Sequence, residues 1–219
     1  MPKLPDSGFN RVAPYYDALV RLVYGTALER AQLALLPFVP QQARVLVIGG
    51  GTGWLLEQLL KTEKHLYILY LDASPAMLQR AQQRYSRYKN PHFCSVSFRL
   101  GTEQALQPHE QFDVIITPFL LDLFPPPRLR QLMQELTAAL APNGKWLLAD
   151  FWPARQPTPW WQQVLIKGMY VFFGWLSEVQ AKQLPDYGSH FKVLGFEVNF
   201  SQQFYSGLVQ AKVLERQLT

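Results

Sequence analysis

The chain has 219 residues, of which 48% are hydrophobic and 17% charged, and its net charge is +5. This length favours one domain, and the hydrophobic fraction is sufficient for a full core. A single cysteine, Cys94, excludes an internal disulfide and a multi-cysteine metal site. The spacing of His65, His92 and His109 is not that of metal ligands, so no metal site is predicted. Because the first residues lack the apolar run of a signal peptide, we expect a cytoplasmic protein.

The basic residues are scattered along the chain, which argues against a nucleic-acid partner. The densest group has the spacing of a solvated helix face and consists of Arg80, Arg84, Arg87 and Lys89. Nucleic-acid methylation would instead require one continuous basic face beside a cleft.

Short apolar runs alternate with helical patterns along most of the chain. A helix over residues 18–36, ended by Pro37 and Pro40, precedes the first strand. Strands are predicted at 44–48, 66–71, 93–100, 112–117 and 145–150, with helices at 54–61, 74–88 and 129–140. A helix over 185–194 and two strands, 196–200 and 205–214, follow. This order predicts an α/β fold: a three-layer Rossmann-like sandwich with a mostly parallel seven-stranded sheet and an antiparallel closing hairpin.

A glycine-rich loop, Gly49-Gly-Gly-Thr-Gly53, lies directly between a strand and a helix. Glycines let the backbone turn tightly and let a ligand approach the helix N-terminus. The next strand ends at Asp72, where a carboxylate is well placed to accept hydrogen bonds from ribose hydroxyls. Loop and acid together indicate an adenosine-containing ligand, the alternative being a purely structural turn. Trp54 stands where a dinucleotide fingerprint needs its third glycine, which disfavours a nicotinamide oxidoreductase, and no Walker ending is present.

Five segments resemble, in order, the motifs of class I S-adenosylmethionine-dependent methyltransferases: residues 45–53, 70–78, 100–106, 112–116 and 140–150. Residues 9–17 are similar to the opening of the quinone-biosynthesis branch, in which a Tyr-Asp pair closes over the cofactor. The resemblance implies S-adenosyl-L-methionine as cofactor and S-adenosyl-L-homocysteine as product. It implies a cofactor site formed by Gly49, Gly50, Gly51, Thr52, Gly53, Asp72, Ala73, Ser74, Met77, Gly101, Thr102, Glu103 and Thr117.

Two positions depart from the family pattern. Val47 stands where the family usually has an acid that supports the glycine loop, and Thr102 stands where Asp is common. The loss of the acid would weaken cofactor binding unless another group compensates, whereas a threonine hydroxyl can still hydrogen-bond adenine.

The whole chain, 1–219, is expected to form one methyltransferase domain. Its expected parts are a helical cap (1–42), a cofactor-binding core (43–151), a substrate lid (152–185) and a closing helix and hairpin (186–219). The predicted function is methyl transfer to a small hydrophobic acceptor by in-line displacement. The alternative is a non-catalytic binding or assembly module that retains the fold with a degenerate cofactor site.

Three residues are candidates for contact with the acceptor. Asp122 follows the fourth strand and could orient or deprotonate an acceptor, or simply be a surface or capping carboxylate. His190 belongs to the region before the sixth strand, and Tyr16 to the Tyr-Asp pair. A surface histidine and a core or interface tyrosine are the alternatives. Thr117-Pro-Phe119 has one proline and no amide or acid, so it gives little support for DNA methylation.

Residues 160–176 are rich in aromatic side chains but too short and interrupted to span a bilayer. They are expected to line a hydrophobic pocket, to contact a membrane surface, or to pack in the core or at a dimer contact. The sequence leaves open whether the protein is a monomer or a homodimer. The residues concerned are Trp160, Trp161, Met169, Tyr170, Phe172, Phe173 and Trp175.

Overall fold

The computed structural model describes residues 21–88, 94–154, 157–177 and 183–216, with only the backbone of residues 172–177. Phe93, the first residue of the predicted strand 93–100, lies outside the described residues. The N-terminal segment 9–17 lies wholly outside them. The strands are β1 (Arg44–Ile48), β2 (Leu66–Asp72), β3 (Cys94–Leu100), β4 (Phe112–Pro118), β5 (Leu140–Phe151), β6 (Phe196–Phe204) and β7 (Val209–Arg216). The helices are α1 (Ala27–Leu33), α2 (Trp54–Leu60), α3 (Pro75–Arg87), α4 (Pro126–Ala139), α5 (Trp160–Ser177) and α6 (Tyr187–Val193).

The seven strands form one sheet in the order β3-β2-β1-β4-β5-β7-β6. The first five pair in parallel, while β7 runs antiparallel to both β5 and β6. The predicted α/β fold with its antiparallel closing hairpin is confirmed. Strands β2 and β4 lie on opposite sides of β1 in the sheet. The carboxyl ends of these strands therefore border the crevice where open α/β sheets bind ligands.

Helices cover both faces of the sheet and produce two apolar cores. One core lies beneath α1, α2, α3 and α5, and the other beneath α4 and α6. The central strands β1 and β4 are buried on both faces, whereas the edge strands β3 and β6 are mostly exposed or half-buried. Such continuous apolar runs are typical of parallel strands covered on both sides, and this explains why the strands were predictable.

The single helix predicted over 18–36 is wrong. Residues 21–24 are helical, Gly25 then adopts a left-handed φ of 57°, and α1 begins afresh at Ala27. The Gly25 N–H donates to the carbonyl of Arg21 at 2.9 Å, which closes the first helical turn. Pro37 does not end a helix but lies within a short 3₁₀ helix, Leu36–Phe38.

The boundaries of β5, β6 and β7 differ from the prediction by four residues or more, and β6 ends at Phe204 rather than 200. β5 begins at Leu140 rather than 145, and its register against β4 jumps from Phe112↔Leu140 to Val114↔Lys145. The Pro142-Asn-Gly144 turn is therefore accommodated as an irregularity inside β5. β7 begins at Val209 rather than 205, because Tyr205–Gly207 forms a 3₁₀ turn after β6. Within the part of the chain that the structure describes, no helix is both long and apolar enough to cross a membrane.

Candidate active site

The glycine loop is a tight turn whose close packing requires glycine at two positions in particular. Gly49 has a φ of 68°, and a Cβ there would lie 2.6 Å from Cδ1 of Leu120, in the segment after β4. Gly53, the residue before α2, has a φ of 87°, and its Cβ would lie 2.7 Å from the Cα of Ala81 in α3. The loop is thus clamped between α3 and the segment after β4.

Replacing Gly53 with Ala should lower the free energy of unfolding by roughly 2–4 kcal/mol, since it combines left-handed strain with a backbone clash. Gly168 in α5 is the matched control, because a Cβ there meets nothing within 4 Å. Gly168→Ala should be neutral or stabilising by up to ~1 kcal/mol. Chemical denaturation of both variants measures the difference, and equal stabilities would contradict the clamp.

Asp72 ends β2 and joins the glycine loop to α3. Its Oδ2 accepts a hydrogen bond from Gly51 N–H at 3.1 Å, and its Oδ1 accepts from Ser74 N–H at 2.8 Å. The side chain is buried, and this burial raises the pKa of Asp72 to about 6, although the two backbone N–H donors lower it. The carboxylate keeps further lone pairs that could accept from ligand hydroxyls.

Tyr70 supports the loop at the position where Val47 replaces the usual acid. Val47 and Tyr70 are register partners on β1 and β2, and both are fully buried. The Tyr70 hydroxyl donates to the carbonyl of Gly51 at 3.0 Å, and a Cβ on Gly50 would lie 2.5 Å from that hydroxyl. Tyr70 therefore lies directly against the loop and provides a polar contact of the kind that Val47 cannot make.

Tyr70→Phe should lower the free energy of unfolding by about 1 kcal/mol, because a hydrogen bond is lost and the Gly51 carbonyl loses its donor. Tyr67→Phe on the same strand is the matched control, since Tyr67 is 60% exposed. Thermal unfolding and ligand calorimetry on the two variants separate the effects. An unchanged Tyr70→Phe protein would show that the phenol does not support the loop.

The segment after β3 shows how the predicted residues Gly101, Thr102 and Glu103 are placed. Gly101 N–H donates to the carbonyl of Asp72 at 2.9 Å, so this segment lies beside the acid. Thr102 is partly exposed, and its hydroxyl does not cap the short helix that follows. Glu103 is buried and contacts Arg128 through both carboxylate oxygens, each at 2.7 Å. The Glu103 carboxylate is thus already bound to Arg128 in α4. A contact of Glu103 with the cofactor stays a prediction.

The other predicted cofactor residues have structural contacts of their own. Ser74 is the N-cap of α3 and accepts from Met77 N–H at 3.2 Å, and both side chains are buried. Thr117 is fully buried and accepts a hydrogen bond from the Trp146 indole at 2.9 Å. Thr52 is buried and Ala73 partly exposed beside the loop. Direct cofactor contacts of these side chains stay predictions.

Two buried carboxyl groups, Asp122 and Asp150, meet at the carboxyl ends of β4 and β5. They are 1% and 0% exposed, and the two carboxyl groups are near enough for each to shift the pKa of the other. Burial raises the pKa of Asp122 to about 7. Burial and the neighbouring charge of Asp122 raise the pKa of Asp150, while the N–H groups of Phe151 and Leu121 lower it. Two carboxylates in one apolar site cannot both ionise readily, so the pair holds one proton.

Three tyrosines surround this acidic pair. The Tyr170 hydroxyl, from α5, donates to the Asp122 carbonyl at 3.0 Å. Tyr187, from α6, is buried with its hydroxyl toward Asp150, without completing a hydrogen bond of good geometry. Burial, followed by the acidic pair's charges, raises the pKa of each phenol, and the same holds for Tyr24 beside Asp122. The phenols therefore stay protonated.

The acidic pair also fixes the segment after β4 against the glycine loop. Asp150 Oδ2 accepts from Leu121 N–H at 3.1 Å, and its Oδ1 accepts from Phe151 N–H at 2.8 Å. Leu120 is the residue that packs on Gly49, and Phe119 has a φ of 52° that is rare for a residue with a side chain. Asp150 therefore connects the two sides of the crevice.

Of the three predicted acceptor residues, the structure describes Asp122 and His190. Asp122 lies in the acidic pair, but its burial keeps it from meeting an acceptor in this conformation. His190 is partly exposed near Asp186 at the start of α6, so Tyr187 is the α6 residue that reaches the pair. Tyr16 lies outside the described residues.

Sequence reasoning missed Tyr70, Asp150 and Tyr187 as site residues, and it named Tyr170 only among the aromatic residues of 160–176. Asp150 carried a usable signal, because it ends β5 at the same edge of the sheet where Asp72 ends β2. For the tyrosines, no motif indicated which of them would face the pair.

The aromatic segment forms α5, which has two different faces. Met169 and Tyr170 are buried, Trp161 is half-buried, and Trp160 is 77% exposed. The side chains of Phe172, Phe173 and Trp175 lie outside the described residues. The helix thus covers the acidic pair with one face and presents an aromatic residue to solvent on another.

Comparison with known proteins agrees with this architecture. Residues 45–144 match the family model described as a methyltransferase domain. The chain is 30% identical over 114 residues to a malonyl-acyl-carrier-protein O-methyltransferase of Paenibacillus sp. (strain JDR-2), covering 51% of this chain and 40% of that protein. It is 27% identical over 161 residues to the demethylmenaquinone methyltransferase of Tropheryma whipplei (strain Twist), covering 72% and 63%. The chain spans about half the length of the curated relatives that it matches.

A solved structure extends the likeness to most of the fold. The N-methyltransferase NodS from Bradyrhizobium japonicum, in complex with S-adenosyl-L-homocysteine, has a TM-score of 0.61 at 18% identity over 87% of each chain. Residues 45–144 therefore resemble a methyltransferase domain, and the chain has the fold of methyltransferases of known structure.

Proposed function

We propose that this protein transfers a methyl group from S-adenosyl-L-methionine to a small hydrophobic acceptor. The observation that carries the proposal is the hydrogen bond between Asp72 and the glycine loop, which unites the two predicted ligand motifs at one edge of the sheet. The loop lacks side chains where a ligand would approach, and Asp72 is a buried acceptor beside it. These features suit a ligand with ribose hydroxyls and no phosphates.

In this proposal the chain acts mainly by positioning. When bound, S-adenosyl-L-methionine supplies an activated methyl group on a sulfonium, and the acceptor attacks it in line. Asp72 and the glycine loop hold the nucleoside end. The Asp150 contact with Leu121 keeps the segment after β4 against Gly49, and α5 shields this edge of the sheet from water.

The burial of Asp122 favours an acceptor that needs no strong base. An amine, a carbanion or an ionised carboxylate can attack a sulfonium without giving up a proton to the protein. Relatives named for malonyl O-methylation and for demethylmenaquinone methylation make an acyl carboxylate and a quinol-type ring the two acceptor classes to test. The aromatic residues of α5 support a hydrophobic acceptor of either class. Nothing observed favours the non-catalytic alternative, because Tyr70 supports the loop beside Val47.

The test is transfer of a radiolabelled methyl group from S-adenosyl-L-methionine to acyl malonates, demethylated quinols and hydrophobic amines in parallel. We expect turnover of one class, lost in Asp72→Asn but retained in Asp113→Asn. Asp113 is the matched control. Like Asp72 it accepts a backbone N–H, that of Arg44, but it lies at the amino end of β4 rather than at the carboxyl ends of the strands. Failure of all classes with a protein that binds the cofactor would refute a hydrophobic acceptor.

A further inference from the structure

An exposed apolar surface lies on the outside of the elements that cover the candidate site. On α5, Trp160, Val164 and Val171 are 77%, 60% and 74% exposed. With Lys167 they follow one another at intervals of four, three and four residues, and so fall within an arc of about 60° around the helix. This spacing places all four on one stripe, opposite the buried Met169.

A second segment with exposed apolar residues lies near α5. Leu22 is 82% exposed and Val23 is 39% exposed. Val23 and α5 meet at the same turn after β6: the Tyr205 hydroxyl donates to the Val23 carbonyl at 3.0 Å, and Gln162 donates to the Ser206 carbonyl at 3.1 Å. Leu22, Val23, Trp160, Val164 and Val171 are together called the outer patch.

The charges around the outer patch are mainly positive. Residues 21–30, 160–177 and 200–207 contain three cations and one acid. The acid, Glu29, pairs with Arg21 at 2.6 Å, which leaves the charges of Arg30 and Lys167 in excess. Arg30 lies over the Phe204 ring, next to Tyr205, and Lys167 stands within the stripe. The whole chain carries a net charge of +5. Exposed aliphatic residues and a tryptophan bordered by cations form the pattern of a surface that enters the interfacial zone of an anionic bilayer.

We propose that the outer patch docks on the surface of an anionic lipid bilayer, with α5 lying in the plane of the interface. The same helix carries Tyr170, about a quarter turn around from the stripe, to the Asp122 carbonyl. Docking would therefore set the candidate site close to the membrane surface, where a hydrophobic acceptor partitions. The proposal is independent of the reaction, because it requires neither cofactor nor turnover.

The test is sedimentation of the purified full chain with vesicles of phosphatidylcholine and phosphatidylglycerol in equal parts, and with vesicles of phosphatidylcholine alone. We expect binding to the anionic vesicles that weakens with added salt and in Lys167→Gln. The double variant Trp160→Gln, Val164→Gln should bind these vesicles at least about tenfold more weakly than the unsubstituted protein. The matched control is Val193→Gln with Val198→Gln, which replaces two apolar residues that are 86% and 45% exposed outside the patch.

Thermal unfolding establishes that the variants remain folded, as expected for exposed positions. Equal binding by the two double variants, or no binding by the unsubstituted protein, would overturn the proposal. Sedimentation velocity separates the competing occupant: a dimer that the patch variant dissociates, without vesicle binding, would show that a second copy of the chain covers the patch.

Discussion

Asp72→Asn is expected to weaken the binding of S-adenosyl-L-homocysteine by roughly 100-fold, because charge-assisted hydrogen bonds are among the strongest single contacts. The amide also replaces one carboxylate oxygen with an NH2 group, so the N–H of either Gly51 or Ser74 loses its acceptor. Isothermal titration calorimetry measures the change. Asp113→Asn, which removes a carboxylate at the amino end of β4, should bind as tightly as the unsubstituted protein.

The same carboxylate gives the affinity a pH dependence of definite sign. Ribose hydroxyls donate to the ionised form of Asp72, whose pKa is raised to about 6. Below that pH a proton must be released for the ligand to bind, so affinity should fall by up to about tenfold per pH unit. An affinity that does not change between about pH 7 and pH 5 would show that Asp72 does not receive the ligand.

Asp150→Ala is expected to lower the free energy of unfolding by about 2–6 kcal/mol. It leaves two buried N–H groups, those of Leu121 and Phe151, without their acceptor, at a cost of roughly 1–3 kcal/mol each. Asp186→Ala, at the exposed start of α6, removes an N-cap and should cost only about 1 kcal/mol. Urea denaturation of both variants provides the comparison, and equal losses would show that the acidic pair does not hold this edge of the sheet.

The acidic pair also predicts how stability depends on pH. The pKa of Asp122 is raised from 3.8 to about 7, so between these values the native state keeps a proton that the unfolded chain has released. The free energy of unfolding should therefore fall as the pH rises through this window, by up to about 1.4 kcal/mol per pH unit. Asp122→Asn lacks this titration, so its curve should be flatter, although Asp72 and Asp150, whose pKa values are also raised, contribute the same sign in both proteins. Parallel curves would contradict the shared proton.

The fold was predictable because its signals are local. Buried parallel strands read as continuous apolar runs, and Ser74-Pro75 indicated the N-cap of α3, which the Ser74–Met77 hydrogen bond confirms. The errors also have local causes. Gly25 can adopt the left-handed conformation that divides a helix, and the turn at Tyr205 requires positive φ at two residues that have side chains.

The candidate site was only partly predictable, because its remaining contacts depend on register and packing. Val47 was recognised as a departure, but its neighbour Tyr70 follows from the pairing of β1 with β2. The contact between Tyr170 and Asp122 joins residues 48 positions apart. The spacing along α5 could have indicated that Trp160, Val164 and Val171 form a stripe. Only their exposure in the folded structure shows that this stripe faces solvent.

The most direct test of the account is calorimetric titration of the purified protein with S-adenosyl-L-homocysteine, using NADH as the control ligand. We expect binding of S-adenosyl-L-homocysteine in the micromolar range, with loss of that binding in Asp72→Asn and no binding of NADH. A well-folded protein that binds neither ligand would contradict it and would favour a non-catalytic module, whereas binding of NADH would contradict the reading of the glycine loop.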